Sequence, residues 1–260
     1  MKKVSTKAIS TFAVFVFLFT TFFSIFVLPQ EAQAATKPKI EKKTLAAGTK
    51  SATPLYIIRS GKPGPVVMIV GGVHGNEPAG YKAAAKVVNF DIKRGTLLVI
   101  PQANKRAIKI HRRYVRGVGD LNRDFPRTKR DSADTALARA IYKVVKDYDV
   151  DWLMDMHEGF DYYKNKRTSS VGQTVIYYPN KATYRVASKI VRTLNKNISG
   201  SYRKFSLLRY PVRGSLARAA GQNLGVHSFI LETCDNPSLS VRVNRQLTAA
   251  KTMLKELKMM

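Results

Sequence analysis

His74 and Glu77 stand three positions apart in Gly71-Gly72-Val73-His74-Gly75-Asn76-Glu77, directly after the apolar run Val66 to Val70. An imidazole nitrogen and a carboxylate oxygen are both good zinc donors, and two intervening residues on a turn let them converge on one ion. The pair by itself arises often and fits a solvated loop equally well, so a metal reading needs a third ligand and a catalytic group. His157 closes a second apolar-rich run, Val150 to Met156, and so occupies the same kind of position as His74. His111 lies in the basic run Lys109 to Arg113, whose positive field opposes a metal ion, and His227 opens a strand instead of closing one. Both read as ordinary surface or structural histidines.

Three protein ligands leave one position of a catalytic zinc site open, and a water there has its pKa lowered toward about 7. Such a water needs a base, and a departing nitrogen needs a proton, so a carboxylate that does not bind the metal is expected beside it. Glu232 ends the run His227 to Leu231 and is the candidate, in a chain with only 17 acidic residues to distribute. Glu158 is the rival, but strand alternation turns its side chain away from the direction His157 faces.

The elements that position these residues follow from patterning. Continuous apolar runs bounded by glycine predict buried strands of a mainly parallel sheet, whose carboxyl ends are where open α/β sheets bind ligands. Strands are expected at 55–59, 66–70, 96–100, 151–156, 174–178 and 227–231. Helices are expected at 78–88, opened by Pro78, and at 132–146 behind an Asp131-Ser132 cap, then at 181–196, 215–222 and 238–258. The alternation predicts a single α/β domain over 51–260, with a mixed, mostly parallel twisted sheet and helices on both faces. Residues 35–50, polar and lysine-rich, read as a flexible N-terminal arm.

Residues 1–34 carry Lys2, Lys3 and Lys7, an apolar stretch from Phe12 to Leu28 and the small-residue site Ala32-Gln33-Ala34. That order predicts a signal peptide cleaved after Ala34 and a secreted or envelope-associated mature chain; an uncleaved anchor is the competing expectation. The formal charge is +28, and the leader holds three lysines against Glu31, leaving +26 on the mature chain. A charge this large suits an anionic neighbour. Lysines and arginines are spread through every segment, which argues against nucleic acid and leaves an anionic cell-envelope polymer or a merely solvated basic surface. Cys234, the single cysteine, excludes an intramolecular disulfide framework and is expected to be a small buried hydrophobe.

Three blocks in order, Gly72 to Gly80, Asp120-Leu121-Asn122-Arg123-Asp124-Phe125-Pro126 and Asp155-Met156-His157-Glu158-Gly159, resemble the zinc carboxypeptidase superfamily. Within it they look most like the succinylglutamate desuccinylase and aspartoacylase branch, whose metal loop reads Gly-x-His-Gly-Asn-Glu. The resemblance runs from about Leu55 onward and implies a zinc-carboxypeptidase-like three-layer sandwich with one Zn2+ held by His74, Glu77 and His157. It implies that Asp120 orients His74 and that Ser228 to Glu232 is the strand delivering the general base. It further implies that Arg113 steadies the oxyanion, and that Asn122 and Arg123 bind the substrate carboxylate. Arg112 and Arg116 lie close enough to compete for the role of Arg113, and Arg116 stands where the family pattern often has proline. Tyr210, ahead of Gly214-Ser215-Leu216, is similar to the mobile tyrosine of carboxypeptidases. If the nearby Arg209, Arg213 and Arg218 line the pocket, the substrate side chain is acidic.

The expected activity is zinc-dependent hydrolysis of an amide next to a carboxylate. Export, the basic charge and a chain too short for the β-domain of many deacylases favour a carboxypeptidase acting on cell-wall stem peptides; the metal loop favours an N-acyl amino acid deacylase. A reading from another class is a non-catalytic, basic, envelope-binding module.

Overall fold

Residues 67 to 70 are wholly buried because their side chains alternate between two separate cores, one on each face of the sheet to which they belong. In the computed structural model, which describes residues 38–260, that sheet has eight strands. They are β1 (Lys39–Leu45), β2 (Thr53–Arg59), β3 (Val66–Gly71), β4 (Thr96–Ile100), β5 (Trp152–Gly159), β6 (Thr174–Tyr177), β7 (Ser206–Arg209) and β8 (His227–Cys234), in the spatial order β1-β2-β4-β3-β5-β8-β6-β7. Four of the seven pairings are parallel and three antiparallel, so the sheet is mixed as expected. The expected signal peptide lies outside the described residues. Among those residues, no helix is long and apolar enough to cross a membrane.

The described residues form six helices, α1 (Pro78–Val87), α2 (Lys105–Lys109), α3 (Ala136–Asp147), α4 (Lys181–Asn195), α5 (Leu216–Leu224) and α6 (Leu239–Glu256), of which all but the short α2 pack on the two faces of the sheet. Val67, Ile69, Met154 and Phe229 meet α1, α4 and α6 through Ala83, Ile190 and Met253 on one side. Met68, Val70, Leu153 and Ile230 meet α3 and α5 through Ile141 and Ala217 on the other. This is the expected three-layer α/β arrangement.

Two expectations are corrected. The segment expected as a loose arm is edge strand β1, paired antiparallel with β2 in register from Lys39 with Arg59 to Leu45 with Thr53. Backbone pairing suffices to hold it while most of its side chains stay in solvent. The helix expected from residue 132 begins at Ala136, because the Thr135 hydroxyl, not Asp131 or Ser132, accepts the Ala138 N–H. Asp131 instead closes a local turn, accepting the N–H groups of Arg127 and Thr128. Short β7 and α2 carry too few residues for a periodic signal.

Candidate metal centre

Strands β3, β5 and β8 run parallel with β5 in the middle, so their carboxyl ends open on the same edge of the sheet. His157 is paired in register with Glu232, which puts both side chains on one face. The turn after β3 brings in His74 and Glu77. Gly75 lets that turn lie against α2: a Cβ there would sit 2.1 Å from the carbonyl of Ala107, so no larger residue fits. Gly72, at φ +73°, supplies the left-handed backbone that sends the chain out of β3.

His74, Glu77 and His157 are buried and offer one ligand atom each within 4.8 Å of one another, an arrangement compatible with a metal site. Glu77 bridges the two rings, with Oε1 2.7 Å from His74 Nδ1 and Oε2 2.9 Å from His157 Nδ1; the two Nδ1 atoms are 3.2 Å apart. The outer nitrogens face carboxylates. His74 Nε2 is 2.9 Å from Asp120 Oδ1, and His157 Nε2 is 3.0 Å from Asp155 Oδ2, though misaligned for a hydrogen bond. A carboxylate behind each imidazole leaves both Nδ1 atoms turned toward one point, the donor set that suits a divalent ion. Burial alone would raise the Glu77 carboxyl, but His74 and His157 outweigh it and hold the group well below the usual carboxylate range. Asp120 is likewise held low against its partial burial by His74 and Arg113.

Glu232 makes no hydrogen bond to these side chains, is 8% exposed, and lines the same cleft. Burial, with Glu77 nearby, pushes its carboxyl up to about 8 against the opposing pull of His157 and His74. Glu158 points elsewhere, as alternation requires. Its carboxylate accepts the N–H of Ala79 at the start of α1 and pairs with Arg242 of α6 at 2.6 Å, while its own N–H donates to Glu77 Oε2.

The cleft has a volume of about 350 Å³ and is lined by His74, Glu77 and Glu232, by Arg113, Asn122 and Arg123, and by Phe160 and Val212. Of the three competing arginines only Arg113 lines it; its guanidinium reaches Asp120 Oδ2 at 3.1 Å and Glu77 Oε1 at 3.5 Å. Asn122 is buried with its Oδ1 unpartnered, and Arg123 is tied to the Asn122 carbonyl at 2.8 Å. The structure does not bring Tyr210 to the cleft. That side chain is 53% exposed and packs against Tyr178 and under Arg218, while Val212, two residues on, lines the wall. Arg209, Arg213 and Arg218 are not among the lining residues either. His111 is exposed and His227 contacts Thr183 away from the site, while Cys234 is buried as expected. Asp155 was not singled out as a ligand-orienting residue, although its position two residues before His157 on one strand face is a readable signal.

A mixed sheet carrying a buried His-Glu-His cluster at its strand ends, in a cleft with Glu232 and two guanidinium groups, has the donor set and layout of a candidate metal-dependent active site. Residues 63–203 match the model of the succinylglutamate desuccinylase/aspartoacylase catalytic domain, and the chain belongs to that family. The matched stretch contains His74, Glu77, Arg113, Asp120, Asn122, Arg123 and His157 and ends before Glu232. Among solved structures, Csd4 of Helicobacter pylori, a D,L-carboxypeptidase in its mDAP-bound form, is similar at TM-score 0.64 and 19% identity, over 76% of this chain and 52% of that one. A candidate metallopeptidase from Shewanella amazonensis reaches TM-score 0.66 at 17% identity, covering 84% of this chain and 87% of that one. A succinylglutamate desuccinylase/aspartoacylase from Rhodobacter sphaeroides reaches TM-score 0.63 at 16% identity over 86% and 66%. These likenesses concern the fold, and this chain spans about half the length of the Csd4 chains. No curated protein matches.

Proposed function

We propose that the chain is an exported zinc metallocarboxypeptidase that cleaves an amide next to a free carboxylate, in peptides such as cell-wall stem peptides. The observation that carries it is the convergence of His74, Glu77 and His157 beside an uncommitted Glu232, in a cleft whose wall holds Asn122 and Arg123. A bound zinc ion would supply Lewis acidity and an activated water at neutral pH. Glu232, which makes no hydrogen bond to the metal-binding side chains and lines the same cleft, takes the proton of the attacking water and returns it to the leaving nitrogen. Arg113 faces the developing oxyanion with a guanidinium fixed by Asp120. Arg123 and the side-chain amide N–H of Asn122 bind the carboxylate of the leaving amino acid, for which a guanidinium fork is suited.

The second reading, an N-acyl amino acid deacylase, is favoured by the family itself. The zinc-loaded chain of residues 35–260, assayed against C-terminal peptides, muropeptides and N-acyl amino acids, separates the two. Peptide substrates are expected to be turned over at least ten times faster in kcat/KM; the reverse order would establish the deacylase, and no turnover on any would defeat both.

The leader and the basic surface support export to an anionic envelope, with the polymer there as a diffuse partner. Cell fractionation is expected to find a chain starting at Ala35 outside the cell and released from envelope material by about 0.5 M salt, where screening is nearly complete. A full-length chain in the cytoplasm would overturn this.

A further inference from the structure

A second concavity, of about 530 Å³, adjoins the catalytic cleft, and Asn76 and Arg113 line both. Its remaining walls come from the short segment after α2, which presents Ile110 and Tyr114, each about half exposed, together with Arg112 and Arg116. Neither of these two arginines makes an ion pair with a carboxylate of the described residues, whereas Arg113 between them is engaged by Asp120 and Glu77. The segment is not a loose surface loop. The Arg112 carbonyl accepts the N–H of Gly75 at 3.0 Å, and the Arg112 N–H donates to Ala107 at 3.1 Å, which fixes this shelf to the very turn that carries His74 and Glu77. Unpaired guanidinium groups beside an exposed tyrosine and isoleucine, held at a set distance from the reaction centre, form a surface suited to one kind of ligand. That ligand is an extended chain bearing an acidic group on an otherwise partly apolar backbone.

We infer that this shelf is an extended-substrate subsite, in which Arg112 and Arg116 bind a second acidic group of the substrate, remote from the scissile amide and distinct from the carboxylate held at Asn122 and Arg123. The inference rests on the amide-hydrolase reading for its direction, since it names which substrates that cleft prefers. Its alternative is that the shelf is ordinary basic surface in a chain of formal charge +28.

The test compares N-acetyl-glutamyl-alanyl-alanine with N-acetyl-glutaminyl-alanyl-alanine, which differ only in the remote charge. In the zinc-loaded wild-type chain, the acidic peptide is expected to have a kcat/KM about 10-fold higher, the value of one charge-assisted hydrogen bond. The double variant Arg112→Ala/Arg116→Ala should bring the ratio of the two kcat/KM values to about one, whatever its rate on either peptide. Removing the same charge from a distant face, in Arg192→Ala/Lys196→Ala at the end of α4, should leave the preference intact. Equal loss in the distant variant means that the general positive field is responsible and overturns the subsite, as does a preference that survives the shelf variant or never exists. Calorimetric binding of both peptides in a Glu232→Gln background gives the same comparison without turnover. A chain that hydrolyses neither peptide counts against the carboxypeptidase reading and leaves the deacylase reading to its own substrates, while the binding difference still decides the shelf.

Discussion

Glu232→Gln is expected to bind zinc at the wild-type stoichiometry while kcat falls by about 10² to 10⁴-fold, the range that a positioned general base contributes. The separation of the two effects follows from geometry. His74, Glu77 and His157 converge on one point through atoms within 4.8 Å of one another, and Glu232 is held apart from that cluster on the neighbouring strand. The glutamine is nearly isosteric, so it fills the same buried position without forcing the sheet apart, and it removes a group whose ionisation is costly there. Fold stability should therefore be unchanged or slightly higher, which makes an inactive, well-folded, metal-loaded variant the diagnostic result. Metal content by elemental analysis, the melting temperature and kcat on the best substrate are the three measurements. Retained turnover would remove Glu232 from the mechanism, and loss of metal would make it a ligand instead.

The residues of this centre were legible in the sequence where a strand end and a reactive side chain coincided. His74, His157 and Glu232 each close an apolar run, and alternation along the strand already separated Glu232 from Glu158. Asp155 was equally legible by that rule, since residues two apart on a strand share a face, but nothing in the spacing says that a buried acid faces a ligand instead of a solvent channel. The shelf and the fate of Tyr210 were not legible. Both depend on loops, where the direction of a side chain is set by hydrogen bonds such as Gly75 to Arg112 and Tyr210 to Tyr177, between residues distant in sequence. Strand β1 was hidden for a different reason. Edge strands pair through their backbone with one neighbour only, so lysine-rich composition, which argues for a free arm, is also what protects an exposed sheet edge. The helix start at Thr135 shows the same competition at short range, with Asp131 satisfying a turn that left the cap to a residue four positions on.

His157→Ala is expected to abolish measurable zinc retention and turnover together, in contrast to Glu232→Gln. Two ligands would remain, His74 and Glu77, and a two-ligand site neither holds the ion tightly nor fixes its open position. The variant also leaves charge behind: Asp155, wholly buried and 3.0 Å from His157 Nε2, loses its partner, and Glu77 loses one of the two rings that hold its carboxyl low. Folding should therefore weaken even without metal. The decisive reading is the response to added zinc instead of the melting temperature itself. For the wild-type chain, free zinc at 100 times its dissociation constant stabilises the folded state by about 2.7 kcal/mol, a rise in Tm of roughly 5 to 10 °C for a domain of this size. The variant should show no such rise at the same concentration. A metal-dependent rise that survives His157→Ala would mean that the ion is held by other groups, and the His74, Glu77 and His157 cluster would then be a buried ion-pair network closing the end of the sheet.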